Sequence, residues 1–234
     1  MRSSTHIRGA NPRFVSEIAL RLLRVGRAKE ALSYLDRAPP SPANRHFAQA
    51  EWTDARIAAL DALQRPDEAQ RLRMTLFKDQ LSPAHLRAYL DRLPDFEDVE
   101  AESQTLDFVP GHSNIHAALA FLVQWPAHER AARMISSRVK EIDGDRYELL
   151  DPASSALEGK HPLAAVLLRR ALIEATLQKG RSTRYKHAAR HVREIDSLQS
   201  QIKDYAGFET HDQFMGRLLK IHPRKTGFWP LLRD

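Results

Sequence analysis

The fold class is indicated most clearly by residues 52–77, which read WTDARIAALDALQRPDEAQRLRMTLF. Apolar residues recur in this stretch at helical spacing both before and after residues 64–66, where proline and polar side chains predict a turn. Ala69, Leu72 and Leu76 continue the apolar pattern after the turn. The stretch therefore predicts two helices joined by a short turn, which together form a helical hairpin.

Similar patterns extend in both directions from this hairpin. Phe14, Ile18, Leu22 and Val25 recur at helical spacing and predict a first helix, and Gly26 separates that helix from a second. Capping residues and prolines indicate further helix starts at Ser41, Ser82, Ser113, Pro126, Pro162 and Thr210. Thr210 and Gln213 have the spacing of a capping box. Helical hairpins are therefore expected along most of the chain.

The pattern also specifies a fold class. No stretch bounded by turns alternates apolar and polar residues as a half-buried strand does. Hairpins of about 30 to 45 residues match the helix-pair repeats of solenoids. We therefore predict an all-α fold, a right-handed solenoid-like array of antiparallel helix hairpins of the tetratricopeptide type. Residues 1–234 are expected to form one helical-repeat domain, with 1–11 flexible and 223–234 as a C-terminal capping tail that carries Phe228 and Trp229.

Composition excludes several classes of protein. The chain has no cysteine, which rules out disulfides, thiolate metal sites and cysteine nucleophiles. The most apolar stretch, residues 162–177, is interrupted by Arg169, Arg170 and Glu174, so no membrane span is expected. The basic first residues lack the apolar core of a secretory signal, and we therefore expect a cytoplasmic protein. Organelle targeting is the alternative, because no acidic residue precedes Glu17.

Several segments together resemble a known family. They are AALDALQRPDEAQRLR at 58–73, LSPAHLRAYLDRLPDFEDVEAE at 81–102, HPLAAVLLRRALIEATL at 161–177, RYKHAARH at 184–191 and KTGFW at 225–229. In this order they are similar to a bacterial helical family recorded only as a domain of unknown function. The resemblance covers the chain from about Gly26 onward. It implies kinship and no activity, cofactor or site residue.

The main charge feature is a basic stripe. Residues 160–193 hold nine Lys and Arg residues and one acid, Glu174, whereas residues 91–107 hold seven acids and only Arg92. We define the basic stripe as the five cations of the segment 181–193, which are Arg181, Arg184, Lys186, Arg190 and Arg193. Such a stripe could contact nucleic-acid phosphates or another anion. The alternative is a solvated helix face whose charge the acidic segment partly balances.

Histidines suggest no clear site. His187 and His191 stand four residues apart, a spacing that can place two imidazoles on one metal ion. The residues between them lack the glutamate of the zinc protease helix, and Arg190 adds positive charge beside any cation. Histidines at the edge of an apolar face more often cover the core. We therefore predict no metal site, no cofactor and no catalytic residue.

Three functional hypotheses follow. The first is a non-enzymatic scaffold that binds another protein, since stacked helix pairs expose an extended surface. The second is a nucleic-acid-associated protein that uses the basic stripe. The third is an unrecognised hydrolase or metalloenzyme, whose site would need residues to converge from distant hairpins. The sequence favours a protein that is not an enzyme.

Overall fold

The structure, a computed structural model, describes residues 12–39 and 47–233 and contains only helices and turns within those ranges. The α-helices are α1 (Pro12–Arg24), α2 (Ala28–Arg37), α3 (Phe47–Ala62), α4 (Pro66–Gln80), α5 (Pro83–Leu90), α6 (Glu97–Phe108), α7 (Ile115–Gln124), α8 (His128–Arg138), α9 (Tyr147–Leu157), α10 (Pro162–Gln178), α11 (Tyr185–Leu198) and α12 (His211–Ile221). The predicted all-α class is confirmed. The expected flexible segment 1–11 lies outside the described residues.

The chain divides into two compact units, residues 1–101 and 102–234, and the division falls within α6. In the first unit α1 packs on α2 and α3, α3 on α4, and α4 on α5. In the second unit α7 packs on α8 and α9, and α10 packs on α8, α9 and α11. Most consecutive helices are therefore neighbours, and so are the pairs α1 and α3, α7 and α9, and α8 and α10. The expectation of one repeat domain over 1–234 stays a prediction.

The buried face of α1 is only part of its apolar surface. Val15 and Ala19 are fully buried, whereas Phe14, Ile18 and Val25 are 62%, 37% and 67% exposed. The apolar positions of α1 span more than half of the helix circumference, and α2 and α3 cover only part of that arc. The predicted helix is therefore present, but helical spacing alone does not indicate which part of its wide apolar arc is covered.

One backbone turn joins several of the helix pairs. In this turn an N–H donates to the carbonyl five residues earlier, as Arg27 does to Leu22 and Arg65 does to Leu60. The residue before each donor, which is Gly26 before Arg27 and Gln64 before Arg65, has a positive φ. The same closing bond joins Ala127 to Leu122 and Arg181 to Thr176 in the second unit. The hairpins therefore share a turn geometry that their side chains do not reveal.

A small buried residue follows three of these turns at the same distance. Ala31, Ala69 and Ala131 each donate a backbone N–H to the residue that ends the turn, and each is fully buried. Alanine lets the second helix approach the first closely at this point. The three hairpins therefore share a small buried residue at the same distance from the turn, although their sequences differ.

Helix α10 lies at the centre of the second unit. Ten of its residues are buried, as its apolar sequence predicted. The burial of Arg169 and Arg170, which are two of the ten, was not predicted. The turn before α9 approaches α10 very closely at Gly144: a Cβ there would lie 2.6 Å from the carbonyl carbon of Ala171 and 2.8 Å from the Cβ of Ala175. Only glycine fits this approach without displacing the helix.

The C-terminal residues pack on α11. Phe228 is fully buried, and its ring lies 5.8 Å from that of Tyr185. Trp229 donates its indole N–H to the carbonyl of His222 at 2.9 Å, and Arg193 donates to the carbonyl of Leu231 at 3.0 Å. The segment is therefore tied down by a buried ring and by hydrogen bonds.

Local signals predicted several helix ends. The capping box of Thr210 and Gln213 is confirmed, with both reciprocal hydrogen bonds present. The cap of α7 is Asn114 and not Ser113, since the Asn114 side chain accepts from the N–H groups of His116 and Ala117. The expected start at Ser41 lies outside the described residues. No helix in the described part of the chain is both long and apolar enough to cross a bilayer.

Candidate functional site

The basic stripe does not form one free cationic surface. Arg181 pairs with Asp145 at 3.0 Å, the Arg184 guanidinium lies 6.0 Å from the centre of the Tyr147 ring, and Arg193 binds the C-terminal segment. Lys186, Arg190 and Arg193 are exposed on one face of α11, as predicted. The role of the stripe in binding stays a prediction, and intramolecular contacts already engage most of its members.

Arg190 joins an ionic network between α9 and α11. Its guanidinium donates to both Asp151 carboxylate oxygens at 3.1 Å and to the Tyr147 hydroxyl at 3.1 Å, and it lies 3.3 Å from Glu194. The Asp151 and Glu194 carboxylates and the Tyr147 hydroxyl raise the pKa of Arg190 against the opposing effect of burial. Arg190 therefore stabilises the contact between two helices, a role that its place in the charge pattern does not indicate.

His187 and His191 have different environments. His191 is 1% exposed, its Nδ1 lies 2.9 Å from Glu194 Oε2, and its Nε2 lies 3.8 Å from Asp151. A carboxylate only accepts hydrogen bonds, so Nδ1 carries the proton. Burial lowers the pKa of His191, although Glu194 opposes this effect. His187 is exposed, and its ring contacts the Tyr147 ring edge to face.

This arrangement favours a structural role for His191. An imidazole between two carboxylates can act as a general base, but His191 is enclosed and cannot reach a substrate in solution. Among the residues that the structure describes, no group of three or more His, Asp or Glu side chains could hold a metal ion. The residues of this network therefore give no support to the hydrolase or metalloenzyme hypothesis.

Arg169 extends the network into the core. It is 2% exposed, and it donates from Nε to Glu194 at 3.0 Å and from Nη2 to Glu158 at 2.6 Å. Glu158 follows α9 and Glu194 lies on α11, so Arg169 connects three successive helices. Two carboxylates neutralise its buried charge. Together with Glu158, Glu194 and Ser197 it lines a polar groove of about 460 Å³.

Arg170 has no such carboxylate partner. It is 6% exposed, and its Nη1 donates to the backbone carbonyl of Glu209 at 2.8 Å. Its Nε and Nη2 have no hydrogen-bond partner. Leaving a buried donor of a charged group unpaired costs on the order of 1–3 kcal/mol or more. This arginine is therefore the polar side chain of the second unit that most clearly lacks an acceptor in the structure.

Aromatic rings and a second arginine surround Arg170. Its guanidinium lies 4.7 Å from the centre of the Phe214 ring and 5.9 Å from that of Tyr205. Arg217 lies across the same Phe214 ring at 5.4 Å, and it donates to Glu209 at 2.8 Å and to Glu174 at 2.5 Å. The hydrogen bonds from Arg217 lower the pKa of Glu209 and keep it ionised.

Two open grooves lie on either side of the segment that precedes α12. The first, which we call the apolar groove, has a volume of about 580 Å³ and includes Ala132, Leu163, Ile202 and Phe208 in its walls. The second, the Arg170 groove, has a volume of about 530 Å³ and includes Lys140, Gly144, Arg170, Gly207 and Arg217. Phe208 lines both grooves.

The sequence alone does not reveal these features, for a physical reason. In the sequence, Arg169 and Arg170 stand out only as interruptions of an apolar helix. Two adjacent arginines in such a helix are themselves a signal, since buried charges require partners or ligands. Their partners lie between 11 and 39 residues away along the chain, and spacing alone does not indicate them.

Comparison with known proteins adds kinship. No curated protein and no solved structure matches the chain. A protein family matches residues 2–231, and its description is "Family of unknown function (DUF6880)". The match confirms the resemblance to a domain of unknown function that the sequence segments indicated. Because it extends over almost all of the 234 residues, the chain belongs to this family of unknown function.

Proposed function

We propose that this protein is a non-enzymatic scaffold that binds another protein. Its helices would stack as a right-handed solenoid-like array of antiparallel hairpins of the tetratricopeptide type. The recurring turn at residues 22–27, 60–65, 122–127 and 176–181 supports this arrangement, as do the contacts between helices two apart within each unit. Arrays of this kind present extended surfaces to their partners.

The apolar groove is the observation that carries the proposal. Its walls combine small residues, such as Ala132 and Ala206, with the larger apolar side chains of Leu163, Ile202 and Phe208. A groove of about 580 Å³ falls in the size range of binding sites and can take one or two apolar side chains of a partner segment. Open apolar surface of this kind marks interaction sites.

Charges around the apolar groove indicate the chemistry of the partner. Arg133 and Lys203 are exposed on its lining, and Asp204 accepts a hydrogen bond from the backbone N–H of Ala206 within the same segment. Two exposed cations beside an apolar wall favour a segment with apolar side chains next to an acidic residue. The partner that fits best is therefore a protein segment in which apolar side chains stand next to an acidic residue.

The proposal is tested by affinity capture with groove variants. The tagged chain is incubated with host lysate at moderate salt, with and without nuclease, and the retained proteins are identified. Ala206→Trp fills the groove and Lys203→Glu reverses a charge on its lining, while Lys220→Glu makes the same charge change on α12, outside the groove. A partner retained by the wild type and by Lys220→Glu, but lost from the two groove variants, supports the scaffold. Equal retention by all three variants contradicts it.

Nucleic-acid binding is the second candidate, because Lys186, Arg190 and Arg193 are exposed on one face of α11. In the same capture experiment, nucleic acid retained without nuclease and lost with it would favour this candidate. Phosphate contacts are electrostatic, so binding should fall steeply with rising salt. Lys186→Glu should weaken it, whereas Lys203→Glu should not. Retention of nucleic acid that is insensitive to salt would exclude the basic stripe as its site.

A further inference from the structure

The hydrogen bonds of Arg170 leave one whole edge of its guanidinium without an acceptor. Nη1 donates to the carbonyl of Glu209, whereas Nε and Nη2 donate to no atom of the protein. Nε and Nη2 together form the edge of an arginine that binds carboxylate or phosphate oxygens through two parallel hydrogen bonds. The unpaired edge therefore has the geometry of an oxyanion site.

The preceding residue on the same helix has this edge paired, although its Nη1 is buried without a partner. Arg169 is as deeply buried as Arg170, and its Nε and Nη2 donate to Glu194 and Glu158. The same two nitrogens are thus paired with carboxylates in Arg169 and unpaired in Arg170. The difference lies in the environment of each side chain and not in its residue type.

Other groups near Arg170 do not supply the missing acceptor. The rings of Phe214 and Tyr205 attract its positive charge but have no lone pair along the plane of the guanidinium. The carboxylates of Glu174 and Glu209 are bound by Arg217. The charge of Arg170 is therefore partly offset while its N–H groups stay unpaired.

The groove next to Arg170 provides space and further positive charge. Its volume is about 530 Å³, and its lining includes the exposed Lys140. Gly207 forms part of the lining, and no atom lies within 4 Å of the position where a Cβ would be. Nε and Nη2 are shielded from solvent, so an anion reaches them from the groove only when a neighbouring side chain moves.

We propose that the Arg170 groove is a binding site for a small oxyanion, a carboxylate or phosphate group, held by the Nε and Nη2 edge of Arg170 with Lys140 at the rim. The buried position of Arg170 removes competition from water, which strengthens a charge-assisted hydrogen bond. This site shares only Phe208 with the apolar groove, and it does not depend on the scaffold proposal.

The test observes the arginine itself. The full chain is labelled with ¹⁵N-arginine, and the Nε–Hε signals of Arg169 and Arg170 are identified from Arg169→Lys and Arg170→Lys variants. Inorganic phosphate and acetate are then titrated in turn at constant pH, with sodium chloride at equal ionic strength as the reference. Arg169 is the internal control because its Nε–H already donates to Glu194.

We expect the Arg170 signal to shift in a saturable manner with phosphate, with acetate or with both, while the Arg169 signal stays in place. A response to phosphate alone assigns the site to phosphate groups, and a response to acetate extends it to carboxylates. Lys140→Glu should raise the dissociation constant about fivefold, whereas Lys220→Glu should change it by less than about twofold.

Two results would overturn the proposal. One is the absence of a saturable shift of the Arg170 signal with either anion. The other is an equal shift with chloride, which would indicate ionic strength and not a site. If Arg170→Lys does not fold, any arginine signal that shifts in a saturable manner with phosphate or acetate is followed in Lys140→Glu and Lys220→Glu, and equal dissociation constants in these two variants overturn the proposal.

Discussion

Replacing Gly144 by alanine should destabilise the protein far more than replacing Gly159. A Cβ on Gly144 would overlap the carbonyl oxygen of Ala171 and lie 2.6 Å from its carbonyl carbon, whereas a Cβ on Gly159 meets no atom within 4 Å. The obstacle is the backbone of α10 in mid-helix, which cannot move aside as a flexible side chain can. Neither glycine has a positive φ, so both substitutions are compatible with the backbone conformation.

The magnitude follows from two opposing effects. Overpacking a closely packed site costs about 1–3 kcal/mol. Alanine also restricts the unfolded chain more than glycine does, which stabilises the folded state by about 0.4–1 kcal/mol where the native conformation is compatible. Gly144→Ala is therefore expected to lower the free energy of unfolding by about 1–2 kcal/mol, and Gly159→Ala to raise it slightly.

Urea denaturation followed by circular dichroism at 222 nm measures both variants against the wild type. Because the chain forms two compact units, the curves are first tested for a single transition. In thermal unfolding followed at the same wavelength, the midpoint temperature of Gly144→Ala should fall by about 3–6 °C. If the two variants differ by less than about 0.5 kcal/mol, the turn does not approach α10 as described, and the wall of the Arg170 groove is not held in this way.

Three further predictions concern buried groups. Phe228→Ala should lower the free energy of unfolding by about 3–5 kcal/mol, measured by urea denaturation, because a fully buried ring beside Tyr185 is lost; a loss under about 1 kcal/mol would show that the C-terminal segment adds little. Glu194→Gln should cost about 1–3 kcal/mol by the same measurement, since Arg169 loses a charged acceptor, and an unchanged midpoint would contradict the role of this pair. Stability should decrease as pH falls below about 6.5, because burial lowers the pKa of His191 and the unfolded chain takes up the proton first; His191→Asn should weaken this dependence, and an unaltered pH profile would contradict it.

Local sequence signals predicted the helices well where the cause of a helix end is local. Thr210 and Gln213 form the expected capping box because both partners lie within four residues of each other. Pro162 likewise begins α10 because its fixed φ suits the first helical position. The buried face of α1 does not follow from such local signals, since the choice among adjacent apolar positions depends on where α2 and α3 lie.

The candidate site was much less accessible from the sequence. Arg169 and Arg170 are chemically identical neighbours, yet one is paired with two carboxylates and the other with a single backbone carbonyl. Their partners come from segments on either side of α10 in the chain. Charge counting ranked the exposed stripe around Lys186 first, because it records how many cations a segment holds and not which of them lack a partner.

The shared turn between helices has a consequence for how such a chain can diverge. Its closing hydrogen bonds join backbone atoms, and the residue before the last one of the turn has a positive φ. In three cases a buried alanine lies four residues after the last residue of the turn. Hairpins that are closed by this turn can therefore differ in almost every other residue and keep the same corner. Their common shape persists where no similarity of sequence is left to reveal it.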